Sequence, residues 1–222
     1  MRFSSIFALG ALLVPALATP LLDNNKVSVV NVEDVLNEVK VIAPVNVKRN
    51  VITTPADVVE TCQGLLVSIK IHTGVINQTV HEVPAGHQAT DAQVSVIKVH
   101  LNVIVDLVKT VTVALGAVKG VLKFTDVQVT CLVETLVAIV LEIVCTLIYV
   151  IKTLNIKVLL VVILGNLCTV LAGLILIVEH LVGGILALVL SILNVPAILG
   201  LVSCVLGNLI LSLTTGKILS IL

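Results

Sequence analysis

The residue types able to do covalent or coordination chemistry are few in this chain of 222 residues, and none of them stands in a catalytic pattern. Catalysis needs a nucleophile or a metal held beside an acid or base. The short motifs that encode such pairs, His-Glu-x-x-His, Gly-x-Ser-x-Gly, a phosphate-binding glycine loop and a dinucleotide glycine pattern, are missing. His72, His81, His87 and His100 lack metal-ligand periodicity and read as solvated or edge side chains. The expectation is a non-enzyme with no cofactor and no metal.

Five cysteines, Cys62, Cys131, Cys145, Cys168 and Cys204, are odd in number and widely spaced, with no Cys-x-x-Cys pair. At most two bridges can form within one chain, and the fifth sulfur is either a buried thiol or an intermolecular link; spacing leaves the pairing open. Asn77-Gln78-Thr79 is a sequon that offers Asn77 for N-glycosylation. Lys48-Arg49 is a dibasic pair of the kind that processing proteases cut. Glu142 and Glu179 stand inside long apolar runs, where an ionised carboxylate is costly unless paired or wetted. In a soluble bundle they mark a solvated stripe, with Glu142 on the side of Tyr149; in a membrane they mark a functional pair or a loop, at Glu179-His180.

The elements that must position these residues begin after an expected signal peptide. Arg2, an apolar run over 6–17 and the triplet Ala16-Leu17-Ala18 fit a secretory leader over 1–18, its core too short to stay in a bilayer. Residues 19–53 are the most polar stretch, readable as a pro-segment ending at the dibasic pair. Within it Val32, Val35, Leu36, Val39 and Ile42 recur at helical spacing behind Asn31.

Thr54-Pro55-Ala56-Asp57 sets a capping hydroxyl, a first-turn proline and an acidic third position ahead of a helix expected to reach Glu82. Gln63, Lys70 and Asn77 share one of its faces, and Pro84-Ala85-Gly86 breaks it. Two further helices are expected from Thr90-Asp91 to about Lys119 and from Thr125-Asp126 to about Thr153. Their valine content is that of strands, but the polar period of the first, Ser95, Lys98, Asn102, Asp106 and Lys109, is helical. The fold class expected is all-α, an antiparallel bundle of long helices in which short turns near 84–90, 120–125 and 153–157 set successive helices side by side.

Polarity then collapses. Residues 19–126, with the amphipathic helical region at 54–126, carry nine basic and ten acidic side chains, whereas 127–222 carry six charges in all. Residues 158–178 are uncharged, as are 181–216, which are interrupted only by Gly183-Gly184 and Pro196. The chain is 58% apolar with a mean hydropathy of +1.22, against about 45–50% apolar in ordinary soluble domains. Such a chain cannot cover its surface with polar groups, so some apolar area must meet lipid, an interface, a wall or another copy. Net charge is zero and no basic patch with aromatic platforms exists, which excludes nucleic acid as a partner.

This organisation, a hydrophilic first half and a very hydrophobic second half behind a leader, resembles a family of fungal secreted hyphal-wall proteins distinct from hydrophobins. Hydrophobins themselves need eight cysteines including adjacent pairs. The resemblance implies hyphal adhesion, wall hydrophobicity or aerial growth, and it carries over no functional residue. The leading expectation is a secreted, wall-associated structural or surface-active protein. Two alternatives stand beside it: an integral membrane protein with spans near 130–151, 158–178 and 185–213, with Lys152, Lys157 and Lys217 on the inner side, and a helical carrier enclosing lipid.

Overall fold

The computed structural model of the chain describes residues 52–84, 86–119, 122–154 and 157–193. The expected signal peptide, the segment behind Asn31, Lys48-Arg49, Pro196 and Cys204 lie outside the described residues. Five helices account for most of the rest, and no strand occurs among the described residues: α1 (Pro55–His81), α2 (Asp91–Gly116), α3 (Asp126–Leu154), α4 (Lys157–Val182) and α5 (Ile185–Leu193). The fold is an all-α bundle.

Each of the first three helices starts on a reciprocal cap built by a threonine and the residue three further on. Thr54 Oγ1 accepts from the Asp57 N–H at 3.2 Å, while Asp57 Oδ2 accepts from the Thr54 N–H at 2.8 Å. Thr90 with Gln93 and Thr125 with Gln128 repeat the arrangement with an amide in place of the carboxylate. Two otherwise orphaned N–H groups are satisfied at each start. Hydrogen bonds from the Thr53 and Thr54 backbone hold the exposed Asp57 carboxyl below its ordinary range.

Inside the helices the apolar positions repeat at alternate steps of four and three. On α2 the series Ile97, Leu101, Ile104, Val108, Val111, Leu115 is buried throughout, the pattern of left-handed, shallow-angle helix packing. On α3 two such stripes lie next to each other, Leu132, Leu136, Ile139 and Ile143 beside Val133, Val137, Val140 and Val144. One helix can therefore serve two neighbours: α3 packs on α1 and also on α5.

Successive helices reverse direction, but they are not all neighbours. Helix α1 lies between α2 and α3, and α2 lies between α1 and α4, so the order across the bundle is α3, α1, α2, α4. Helices α2 and α3 do not pack together, which corrects the expectation that every short turn joins adjacent helices. Nine residues separate the end of α2 at Gly116 from the start of α3 at Asp126. The pairs formed this way run parallel. Gln63 meets Cys131 and Thr73 meets Glu142 across α1 and α3. Across α2 and α4, a Cβ placed at Gly173 would lie 3.7 Å from Thr112, and one at Gly116 would lie 3.6 Å from Ile177.

Helix α4 runs through the position that the membrane alternative gave to a loop. Glu179-His180 is not a loop but the last turns of α4; the chain turns at Gly183 and Gly184, with φ of 75° and 78°, a region glycine enters without strain. Glu179 organises that turn: its carboxylate accepts from the Gly184 N–H at 2.9 Å and the Leu186 N–H at 2.6 Å, capping α5. The charge in the apolar run is thus matched to a helix N-terminus, where an anion is favoured.

Val67 and Ile69 test the helical assignment directly. Two residues apart, they would share a face in a strand but fall on opposite sides of a helix; Val67 is 61% exposed and Ile69 fully buried. Ile69→Ala is expected to lower the urea-unfolding free energy by about 2–5 kcal/mol, and Val67→Ala to change it by less than about 0.5 kcal/mol. Equal losses at the two positions would contradict the bundle.

Candidate functional site

Two features could carry function: a polar layer inside the bundle and an uncharged side on its surface. The layer begins with His72 of α1 and His100 of α2, each only 2% exposed. Their Nδ1 atoms are 2.9 Å apart and their rings lie at 48° to one another. One Nδ1 must carry a hydrogen and donate to the other, whose ring is then the neutral tautomer with its hydrogen on Nε2. Burial lowers the His72 pKa, and burial together with the neighbouring His72 brings His100 down to about 4. Next to His72, Thr73 turns the other way and its hydroxyl donates to Glu142 Oε1 of α3 at 2.6 Å. Three helices are therefore joined by polar contacts at one level of the core.

These positions revise part of the sequence reading. His81 and His87 are exposed, as solvated residues should be, but His72 and His100 are core side chains. Glu142 is half-buried and bonded to α1, while Tyr149, seven residues on and on the same side of α3, is exposed. The sequence contained the clue: His72 follows Ile69 by three and precedes Ile76 by four, and His100 stands in the same phase to Ile97 and Ile104, so both lie on apolar stripes.

Of the candidate modification sites, Asn77 is half-buried, and its Oδ1 is enclosed without a hydrogen-bond partner. The Thr79 hydroxyl of the same sequon donates to the Val75 carbonyl at 2.9 Å. A glycan can be added there only before α1 packs. Cys62 and Cys168 are buried, Cys131 is half-buried and Cys145 is exposed; burial raises the thiol pKa of Cys168, and burial followed by the nearby Glu142 charge raises that of Cys145. Among the described residues no group of three or more His, Cys, Asp or Glu side chains could hold a metal ion.

The second feature is a spatial version of the charge collapse. Asp57, Glu60 and Lys70 belong to α1, Glu82 follows its last residue, and Asp91, Lys98, Asp106 and Lys109 belong to α2. From residue 158 to 193, across α4 and α5, the one charged side chain is Glu179, which is committed to the α5 cap. Val162 is 74% exposed there, and Leu164, Val170, Leu176, Leu186 and Leu190 are only partly covered. The hydroxyls on this side bond to their own helices, Thr169 to Gly165 O and Ser191 to Leu188 O, which leaves Asn166 and His180 as the exposed polar residues among the described side chains of α4. Helices α2 and α3 and residues Val162–Val182 of α4 are long and apolar enough to cross a membrane by length and composition.

No protein-family model, no curated protein and no solved structure matches this chain. The reading of the site rests on its own chemistry.

The histidine pair makes stability depend on pH in a defined direction. Both folded-state pKa values lie below the ordinary value of 6.5, so the unfolded chain takes up protons first. Stability is full above pH 6.5 and falls as pH drops from 6.5 towards 4, steepening by about 1.4 kcal/mol per pH unit for each proton bound only by the unfolded state. Urea midpoints measured at pH 7.5, 5.5 and 4.5 should fall in that order for the wild-type protein. The double variant His72→Leu/His100→Leu should show a flatter profile; an unchanged profile would mean the pair is not buried and neutral.

Proposed function

We propose that this is a secreted, non-catalytic structural protein that acts by surface activity, keeping the α1–α2 side hydrated and laying the uncharged α4–α5 side against a wall, a hydrophobic interface or another copy of itself. The observation that carries the reading is the segregation of charge across one bundle, with Glu179, the charged side chain of the apolar side, consumed by a helix cap. Exposed apolar area of this kind is stabilised by any surface that removes it from water, at about 25 cal/mol for each Å² covered. The resemblance to secreted hyphal-wall proteins points the same way and suggests hyphal adhesion or surface hydrophobicity as the setting.

A second reading, an integral membrane protein, draws on the three helices of sufficient length. The packing weighs against it. Helix α1 runs alongside α3 from Gln63 at Cys131 to Thr73 at Glu142, with Lys70 outward between those two levels. If α3 crossed a bilayer, α1 and its exposed lysine would be drawn in with it. Helix α2 would likewise present Asp106 and Lys109 to lipid, each costing about 3 kcal/mol near the centre of a span.

Fractionating a producing culture into medium, wall and membrane tests the proposal, with detection by an antibody against residues 55–120. Recovery from medium or wall without detergent is the expected result. Recovery only from carbonate-washed membranes after detergent extraction would overturn it in favour of the membrane reading, and a lipid co-purifying with a monomer would point instead to a carrier.

A further inference from the structure

Cys62 and Cys131 take no part in the polar layer or the apolar side, yet the fold sets them on facing stretches of α1 and α3. Cys62 sits on the inner face of α1 with no exposure. Cys131 is half-buried near the start of α3, on the wall of a shallow depression of about 340 Å³ lined also by Asp126, Val127, Thr130 and Glu134. The parallel register of the two helices fixes their relation. The Gln63 side-chain amide donates to Cys131 Sγ at 3.3 Å, and Thr73 and Glu142 hold the same register further along. Cys62 is the residue next to Gln63 and points into the core that α1 shares with α3. A charge on Cys131 is felt at Cys62, where it adds to burial in pushing the thiol up to about 12.

The other described cysteines are placed differently. Cys145 faces outward on α3 beside Glu142, and Cys168 belongs to α4, whose main partner is α2.

We infer that Cys62 and Cys131, both free thiols in this structure, form a disulfide that staples α1 to α3 in the oxidised protein. The inference rests on the chain being secreted, since such bonds persist in oxidising compartments.

The bond forms by exchange with a disulfide oxidant of that compartment, either a small molecule such as oxidised glutathione or a protein disulfide. The Cys131 thiolate attacks one oxidant sulfur and expels the other as a thiolate. Deprotonated Cys62 then attacks the Cys131 sulfur of the mixed disulfide and expels the remaining oxidant sulfur. Two cysteine S–H bonds become one S–S bond, the S–S bond of the oxidant is reduced, and the two protons end on its two thiols. Access sets the order, because Cys131 borders the depression while Cys62 is sealed, so closure takes place before α1 has finished packing on α3. The link closes a loop of about 70 residues that contains all of α2, long enough for a large effect on the unfolded chain.

The full chain recovered from producing cells, alkylated at once and digested after Lys and Glu without reductant, gives the readout by mass spectrometry; cleavage at Glu134 and Glu142 separates Cys131 from Cys145. A linked Cys62–Cys131 peptide pair is expected. Reduction should lower the thermal midpoint by about 10 °C. Cys131→Ser should start from the lowered midpoint and ignore reductant, whereas Cys145→Ser should behave as wild type. A link from Cys62 or Cys131 to another cysteine would overturn the pairing. So would alkylation of both thiols in the recovered protein and again after the purified chain is incubated with reduced and oxidised glutathione. Thiols alkylated in the recovered protein but linked in the glutathione buffer would uphold the pairing and overturn the secreted reading instead.

Discussion

The inner face of α1 is the surface on which the described bundle depends. Val58, Cys62, Leu65, Ile69, Ile76 and Val80 are all fully buried, and this face meets α2 on one side and α3 on the other, two helices that do not meet each other. Each such Leu or Ile contributes about 1.5–3 kcal/mol on burial, against roughly 1–2 kcal/mol of backbone entropy for every residue ordered. With terms so closely matched, α3 cannot afford to lose its main partner. The caps at Thr54, Thr90 and Thr125 matter for the same reason, since these helices are rich in valine, which has only modest intrinsic helix propensity. Burial, not propensity, keeps them helical.

That dependence explains which parts of the fold could be read in advance. Helix starts were visible because a threonine, with or without a following proline or aspartate, is a local signal with a local cause. The helical period of Ser95, Lys98, Asn102, Asp106 and Lys109 overrode a strand-like composition because it reports which side faces water, and α2 does expose Asn102, Asp106 and Lys109. The role of Glu179 could be read in advance only as a stripe, a pair or a loop residue, because the N–H groups it caps lie at the start of the next helix, five and seven residues on. Order around the bundle was beyond a single sequence: loop length limits how far two helix ends can part, and nine residues permit both an adjacent and a crossing connection.

The candidate site was harder for a related reason. Hydrogen bonds between residues 28 or 69 apart, as in His72 with His100 and Thr73 with Glu142, leave no mark in local spacing. Only the phase of a polar residue on an apolar stripe hints at them, and a histidine in that phase can be buried only if a partner answers it. Here each histidine is the other's partner, an arrangement that works while both are neutral. Glu142 is answered by a hydroxyl and keeps partial contact with water, which avoids the larger penalty of an enclosed, unpaired charge.

Polar groups and helix contacts are therefore distributed unequally. The α1–α2–α3 part holds the buried polar layer and the extensive packing along α1, whereas α3 and α4 touch only slightly and are bridged by the nine residues of α5. Local opening follows the sparsest packing, so the seam between α3 and α4 that α5 closes opens before the contacts along α1 or those between α2 and α4. Charge scarcity alone would drive such a chain to collapse on itself without order. What prevents that is that the few polar groups it has are spent where they specify geometry, at three threonine caps, one histidine pair and a glutamate that fixes the turn into α5.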